Sequence, residues 1–349
     1  NYGHTFTLEA VYALKAKVLL YAASPLFNGN AFYSDFRNKN GELLFNSTYD
    51  RNKWLLAAEA ADKAAEMCEE GGRALVSGAT GKKTDLLNKM ADIENMSFSR
   101  FNNSEYLLEW KYPSQFFKFF LPRLVGDDDN FDSQTLGCLS PSMKMVEMYY
   151  TANGLPIDAD ITWSYSNRYK LASESSPVYE GVIPMNIDVV NLHLRREPRF
   201  YACIAADRTY WQRGTNTIWD DYNLPVYAYK GESFGTAMDI VVSNVPQNPG
   251  GYWLKKHSQS SVNNVSYYNS MDGITACIIR LAELYLIQAE AWNEYLAQPD
   301  DKVYAPLNKV RKRAGIDDVV RSWKSYSNQP SKVDTKEGMR EIIRREINI

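Results

Sequence analysis

The sequence of 349 residues is poor in histidine, with only His4, His193 and His257. No two of them lie at a metal-binding interval, and the patterns HExxH, GxSxG, GxGxxG and the Walker motif are all missing. The usual signatures of hydrolases and redox enzymes are therefore excluded. Acid–base chemistry would fall to paired carboxylates, as in glycosidases, and nothing in the sequence marks such a pair. We interpret His193 as a polar side chain with hydrogen-bond partners in the core.

Cysteine is also scarce. The four residues Cys68, Cys138, Cys203 and Cys277 lie far apart, with no CxxC and no metal-ligand spacing. Cys68 and Cys277 fall in apolar patterns that we interpret as helical, which favours small buried thiols over a disulfide.

Clustered positive charge and long apolar runs are absent too. The net charge is −3 and no basic stretch occurs, which argues against nucleic acid as a partner. No apolar run approaches the ~20 residues of a transmembrane helix. Because the sequence opens on Asn1 without a signal peptide and stops at Ile349 inside a helical pattern, we expect it to be a piece of a longer protein.

Two pairs of predicted helices are present instead. Residues 7–23 and 54–72 form the first pair, and residues 280–297 and 304–315 form the second, with Gly72 and Gly315 as helix ends. Pairs of this kind suggest tetratricopeptide-like hairpins. We predict a mainly α fold, an α/α superhelix of such hairpins with a large irregular, loop-rich insertion.

The predicted domains follow the change in composition along the chain. They are an incomplete helical part at 1–96, the insertion at 97–275 and a truncated helical part at 276–349. Within the insertion we expect loops, a few hairpin strands and one helix over 140–154, capped by Ser140 and closed by Gly154.

The helix RLAELYLIQAEAWNE (280–294) carries three carboxylates, Glu283, Glu290 and Glu294. Paired acids would suggest chemistry, but alanines at helical spacing favour a helix that lies close to its neighbours. We predict that the three acids cap a helix end, pair with Arg280 or with basic residues of the next helix, or face water.

Aromatic residues are the strongest sign of a binding site, with 24 Tyr, 14 Phe and 8 Trp in the chain. In 207–222 and 162–169 they lie among polar residues, where a ring can stack on a sugar while polar groups bind its hydroxyls. The alternative that these rings pin loops to the scaffold stays open. The candidate ligand-binding residues are Tyr210, Trp211, Arg213, Asn216, Trp219, Asp220, Tyr222, Trp163 and Tyr165.

One acidic loop, GDDDNFD (126–132), is the best candidate for a metal site. Asp127, Asp129 and Asp132 could offer oxygen ligands to calcium, although the spacing of an EF-hand is missing. The alternative is a solvated acidic loop, and we expect no other cofactor.

Several segments in order resemble the SusD/RagB family, surface lipoproteins of Bacteroidota. RLAELYLIQAEA (280–291) resembles the signature helix of that family, and LNKVRKRAG (307–315) the exit of a later helix. Further similar segments are ALKAKVLLYAASPLFN (13–28), MYYTANGLPI (148–157), RREPRF (195–200), GYWLKKH (251–257) and IIRREI (342–347). The sequence departs from the family pattern at Glu197, where Asp is usual, and at Arg344, where Glu is usual.

The resemblance implies a helical tetratricopeptide-like bundle held to the outer membrane by a lipidated cysteine outside this chain. Such proteins cap a SusC-like TonB-dependent transporter and deliver oligosaccharides to it, or peptides in some members, without catalysis. It also implies an N-terminal segment and a C-terminal extension beyond this sequence. The family has no fixed binding motif, so the candidate residues rest on composition alone. A carbohydrate-active enzyme and a structural lid without ligand affinity remain as alternatives from other classes.

Overall fold

The computed structural model describes residues 6–97, 103–111, 139–212, 223–229, 232, 234, 248, 250–256 and 275–349. Its helices are α1 (Leu8–Ala23), α2 (Asn52–Glu70), α3 (Asp85–Ser97), α4 (Met143–Met148), α5 (Pro198–Cys203), α6 (Leu281–Tyr295), α7 (Asp301–Arg313), α8 (Val319–Tyr326) and α9 (Lys336–Asn348). Its strands are β1 (Tyr106–Lys111), β2 (Leu171–Ala172), β3 (Val189–Val190), β4 (Ile204–Ala205), β5 (Tyr210–Gln212), β6 (Asn223–Pro225), β7 (Trp253–Leu254) and β8 (Thr275–Arg280).

The first two helices begin and end at residues suited to those positions. The side chain of Thr7 caps α1 by accepting a hydrogen bond from the Ala10 amide at 3.2 Å. After α2 the chain turns at Gly72, whose φ of 79° lies in the left-handed region that glycine adopts without strain. The faces by which the two helices pack are built largely from fully buried alanines, among them Ala13 and Ala61. Side chains this small let the backbones approach closely.

The later helices complete the same core. Helix α6 packs on α1, α2, α7 and α9, so residues from both ends of the chain share one cluster of buried apolar side chains. Asp318 caps α8 and Thr335 caps α9 through their side-chain oxygens. Gly315, at φ 78°, follows α7. The prediction of a mainly helical fold with tetratricopeptide-like hairpins is confirmed.

Two of the three acids of α6 pair with helices other than the next one. Glu283 pairs with Lys17 of α1 at 2.7 Å, and Glu294 binds Arg340 of α9 at 2.5 and 2.6 Å. Arg280 pairs instead with Glu105. These carboxylates therefore tie α6 to the surrounding helices.

A long excursion leaves the helical core through an antiparallel pair of strands. Strand β1 pairs with β8, with Tyr106 opposite Arg280 and Lys111 opposite Thr275. The other pairs, β2 with β3, β4 with β7 and β5 with β6, have two or three residues in each strand. Cys277 belongs to β8, so its predicted helical setting is wrong. The boundaries proposed at residues 96/97 and 275/276 stay predictions.

The helix predicted over 140–154 is much shorter. It spans Met143–Met148, and its cap is Ser142 rather than Ser140. At Tyr149 the backbone becomes extended because the buried guanidinium of Arg196 donates to the carbonyl oxygens of Val146 and Tyr149, at 2.9 and 2.6 Å. A tertiary contact thus satisfies the carbonyl groups that a longer helix would have used.

Two buried carboxylates join the excursion to the helical core. Glu346 of α9 binds Arg199 of α5 at 2.6 Å and lies 3.5 Å from Arg311 of α7. Glu105, just before β1, binds Arg280 and Arg313 at 2.8 and 2.7 Å. Burial alone would raise the pKa of Glu346, but the two guanidinium groups hold that pKa below its usual value.

Within the ranges given above, no helix combines the length and the apolar character needed to span a membrane.

Close packing at the alanine positions can be tested by enlarging one of them. Ala289→Leu, at a fully buried position of α6, should lower the free energy of unfolding by about 1–3 kcal/mol, because the added methylenes have no space to occupy. The matched control is Ala305→Leu on the exposed side of α7, which should change stability little. Chemical denaturation of both variants measures the difference, and equal stabilities would contradict this packing.

Candidate functional site

An open surface cleft of about 190 Å³ lies where α4, the segment after it and α9 meet. We call it the tyrosine cleft. Its lining residues are Lys144, Glu147, Met148, Ile157, Asp158, Tyr165 and Arg345. They come from three separated parts of the sequence, so the cleft exists only in the folded chain.

A buried carboxylate fixes the segment that carries Tyr165. Asp160 accepts hydrogen bonds from the side chains of Thr151 and Asn153, at 2.6 and 3.0 Å. Its other oxygen accepts from the amide and the hydroxyl of Thr162, at 2.8 and 2.7 Å. One residue further, Trp163 is buried and its indole N–H donates to the Leu194 carbonyl oxygen at 3.1 Å. The backbone is therefore anchored just before the exposed residues begin.

Two exposed tyrosines enclose an arginine beside the cleft. The Arg168 guanidinium lies 4.1 Å from the ring centroid of Tyr165 and 4.3 Å from that of Tyr169. The two rings are 40 % and 54 % exposed. They and the guanidinium form a stack at the protein surface.

Glu147 of α4 anchors this stack. Its Oε1 accepts hydrogen bonds from Arg168 Nε at 2.9 Å and from the Tyr169 hydroxyl at 2.6 Å. Partial burial tends to raise the pKa of Glu147, but the bonds from Tyr169 and Arg168 outweigh it and lower that pKa. The same contact raises the pKa of the Tyr169 hydroxyl. Glu147 is therefore ionised at neutral pH and acts as an acceptor.

The remaining polar groups of the cleft are available to a ligand. Within the described ranges, the carboxylate of Asp158, the ammonium of Lys144 and the hydroxyl of Tyr165 form no side-chain hydrogen bond. Arg345 is already engaged, donating to the carbonyl oxygens of Met148 and Glu147. Donors and acceptors beside an exposed ring suit a hydroxylated ligand with one apolar face.

The predicted ligand-binding residues fall into four groups in the structure. Tyr165 is exposed in the cleft, whereas Trp163 and Trp211 are each only 5 % exposed. The Trp211 ring stacks on Phe234 at 6.2 Å and packs with Val226 and Trp253. Neither indole offers a face to a ligand, and both fit the alternative in which rings pin loops to the scaffold. The others are Tyr210, half-buried in β5, and Arg213, Asn216, Trp219, Asp220 and Tyr222, which lie outside the described residues.

Sequence reasoning missed the partners of Tyr165. Glu147, Lys144 and Arg345 lie far from it in the sequence, and no local pattern links them. Arg168 and Tyr169 had a usable signal, because they follow Tyr165 by three and four residues in the same polar segment.

His193 is confirmed as a satisfied core residue. Its Nδ1 lies 3.0 Å from the Asp207 carbonyl oxygen, so this nitrogen carries the proton and donates. Its Nε2, 3.0 Å from the Tyr252 hydroxyl, accepts. Burial lowers the pKa of His193 to about 4.

Metal and thiol chemistry can be judged for part of the chain. In the ranges that the structure covers, no group of three or more His, Cys, Asp or Glu side chains could hold a metal ion. Asp127, Asp129 and Asp132 lie outside those ranges, so a calcium site there stays a prediction. Cys68, Cys203 and Cys277 are free, and burial raises the pKa of the Cys68 thiol to about 11.

The different settings of Trp211 and Tyr165 predict losses of stability that differ greatly in size. Trp211→Ala should lower the free energy of unfolding by about 3–5 kcal/mol, because it leaves a cavity in an apolar cluster. Tyr165→Ala should cost well under 1 kcal/mol, because much of that ring already contacts water. Thermal unfolding of both variants tests the assignment, which a stable Trp211→Ala protein would contradict.

The lowered pKa of His193 predicts a loss of stability in acid. The pKa of His193 is 6.5 in the unfolded chain and about 4 in the folded one. At a pH between these two values, His193 binds a proton in the unfolded state but not in the folded state. Stability is thus complete above the higher value and falls as the pH drops toward the lower one, by roughly 1–3 kcal/mol between pH 7 and pH 5. The His193→Gln variant lacks this titrating group. Denaturation at pH 7 and pH 5 should therefore show that the variant loses less stability in acid than the wild type, and the difference should equal the contribution of His193. An unchanged pH dependence would show that another group titrates.

A model of the SusD family matches residues 94–349. No curated protein matches the sequence. A solved structure named BT4246 is 23% identical, with a TM-score of 0.75 over 98% of this chain and 58% of its own. A SusD-like protein from Bacteroides fragilis NCTC 9343 is 19% identical, with a TM-score of 0.58 over 98% of this chain and 51% of its own.

A third similar structure is a SusD-like carbohydrate binding protein from the same Bacteroides fragilis strain. It is 15% identical, with a TM-score of 0.50 over 95% of this chain and 55% of its own. This chain therefore spans little more than half the length of these structures. At such low identities, the likeness to these structures shows a shared fold and nothing more. The family match covers most of the sequence. The resemblance noted in the sequence is confirmed, and the chain belongs to the SusD family.

Proposed function

We propose that this protein is the surface-exposed, substrate-binding component of an outer-membrane nutrient uptake system. In this role it captures oligosaccharides and delivers them to a SusC-like TonB-dependent transporter. A lipidated cysteine outside this chain attaches it to the cell outer membrane. It binds without catalysis, and its ligand site needs no cofactor.

Membership of the SusD family supports this role most directly. One structure of similar fold is named a carbohydrate binding protein, which agrees with a glycan ligand here. That likeness is at low identity, so the choice of ligand rests on the tyrosine cleft.

The exposed face of Tyr165 is the observation that carries the proposal of a glycan. Sugar rings present C–H groups on one face and hydroxyls at the edge, and an exposed tyrosine with polar neighbours matches both. Asp158 offers acceptors, and Lys144 offers donors. The cleft volume of about 190 Å³ suits one sugar ring, and its open form lets further rings extend across the surface.

The charges of the cleft favour a neutral ligand. Lys144 and Arg345 face Asp158 and Glu147, and the charge of Glu147 is already matched by Arg168. Three cations against two carboxylates leave a net charge of only +1. Hydrogen bonding and stacking, rather than ion pairing, would select the ligand.

Calorimetric titration against a panel of neutral oligosaccharides and a mixture of peptides tests this proposal. Tyr165→Ala should weaken glycan binding by about 1–3 kcal/mol, because it removes the stacking surface. Tyr165→Phe keeps the ring and should recover most of that loss. The control is Tyr21→Ala, which removes an exposed tyrosine of α1 away from the cleft and should bind like the wild type.

Each of the other outcomes would indicate a different binding site, ligand or function. Unchanged binding by Tyr165→Ala would move the site elsewhere, with 213–222 as the next segment to test. Binding of peptides but not glycans would change the cargo. A protein that binds neither, yet is needed for uptake, would be a structural lid, and shortened glycan products would reveal an enzyme.

A further inference from the structure

A second pocket, of about 230 Å³, lies on the helical core where the exit of α1 meets α6 and α9. We call it the cationic pocket. It is lined by Ala23, Pro25, Asn28, Tyr49, Trp54, Glu294, Lys336, Arg340 and Arg344. It shares no lining residue with the tyrosine cleft, so it is a separate surface.

Its positive charge exceeds its negative charge. Three cationic side chains line it, with Glu294 as the only carboxylate among the lining residues. That carboxylate is bound on both oxygens by Arg340, through Nε and Nη2 at 2.5 and 2.6 Å. Among the lining residues the charges of Lys336 and Arg344 are therefore left over, and the buried carboxylate of Glu290 lies near Arg344 outside the lining.

Lys336 is held in the pocket by neutral groups. Its ammonium donates to the carbonyl oxygens of Glu294 and Leu296, at 2.5 and 3.2 Å. An ammonium has three N–H donors, so one remains for a ligand. The partial burial of this charge lowers the pKa of Lys336, which a bound anion would oppose.

Arg344 is the least engaged of the three cations. It lies one turn after Arg340 on α9, so both guanidinium groups reach the same side of the helix. Its side chain forms no ion pair or hydrogen bond with the residues that the structure covers. Glu290 of α6 is close enough for Arg344 to oppose the rise in pKa that burial causes in that carboxylate. A guanidinium placed in this way can bind a carboxylate with two parallel hydrogen bonds.

The lining of the pocket also includes aromatic and apolar side chains. The Tyr49 side chain is 56 % exposed at the surface, and Pro25 and the buried Trp54 line the pocket with it. The volume lies below the roughly 300–1,000 Å³ of pockets for drug-sized ligands, which limits the occupant to about one ring.

We propose that the cationic pocket binds one carboxylate-bearing sugar ring, such as a uronic acid unit of an acidic glycan. Arg344 and Lys336 bind the carboxylate, and the ring lies against Tyr49. This site is distinct from the proposed neutral-glycan site, and either one can exist without the other.

Titration with sodium glucuronate at low ionic strength, compared with glucose, tests the proposal. Glucuronate should bind the wild-type protein and glucose should not. Arg344→Gln should weaken glucuronate binding at least tenfold, and Tyr49→Ala should weaken it severalfold. The control Arg321→Gln removes an arginine from the exposed side of α8, where it pairs with Asp317 at the surface, and should leave binding unchanged. Added salt should weaken binding, because ion pairing drives it.

Several results would overturn the proposal. If glucose binds as tightly as glucuronate, the carboxylate is not recognised. If Arg344→Gln binds glucuronate as tightly as the wild type does, Arg344 does not recognise the carboxylate. If acetate or sulfate binds as tightly as glucuronate does, the pocket holds an adventitious ion only. Preferential binding of trialanine would indicate a peptide carboxylate, and no glucuronate binding at all would leave the pocket without this role. Neutral-oligosaccharide binding, measured on the same samples, shows whether the tyrosine cleft functions independently.

Discussion

The ion pairs of Glu346 determine how the two proposed binding surfaces are placed on the helical core. This carboxylate lies in α9, and its partners Arg199 and Arg311 come from α5 in the excursion and from α7 in the core. All three side chains are buried, and Arg199 also binds the buried Glu197 at 2.5 Å. Loss of Glu346 would therefore leave the charge of Arg311 uncompensated and out of water. Glu105 makes a corresponding connection at the strands through which the excursion leaves. Because these charges require one arrangement, the helices and the excursion keep a fixed relation.

Helix α9 links both proposed sites to this network. Arg345 lines the tyrosine cleft, Arg344 lines the cationic pocket, and Glu346 is the buried anchor. Successive residues of a helix point in directions about 100° apart, so the side chains of these three neighbours lie in three different environments. The positions of both surfaces thus depend on the placement of one helix.

Much of the helical core could be predicted from the sequence, because its signals are local. Alanine periodicity located α1, α2 and α6, and glycines such as Gly72 and Gly315 marked helix ends. The length of α4 could not be predicted, because Arg196, distant in sequence, takes up its last carbonyl groups. The setting of Cys277 depends on pairing with β1, which is also non-local.

The candidate site was predictable only in part. Trp163 and Tyr165 lie two residues apart in one polar segment, yet the first is buried and the second is exposed. Composition identifies such a segment as amphipathic but cannot decide which ring turns inward. That choice depends on a hydrogen bond to Leu194 and on contacts made elsewhere in the fold. The glutamate that holds Arg168 and Tyr169 was equally hidden, because it comes from α4.

The anchoring of the segment before Tyr165 has a consequence for selectivity. Asp160 satisfies four hydrogen-bond donors around this turn, so the backbone is ordered before any ligand arrives. Binding then carries little entropic cost for ordering the protein, which increases affinity for a ligand of matching shape. The same preorganisation prevents the cleft from remoulding itself around a different one. The proposed site would therefore discriminate by rigidity and favour a narrow range of ligands.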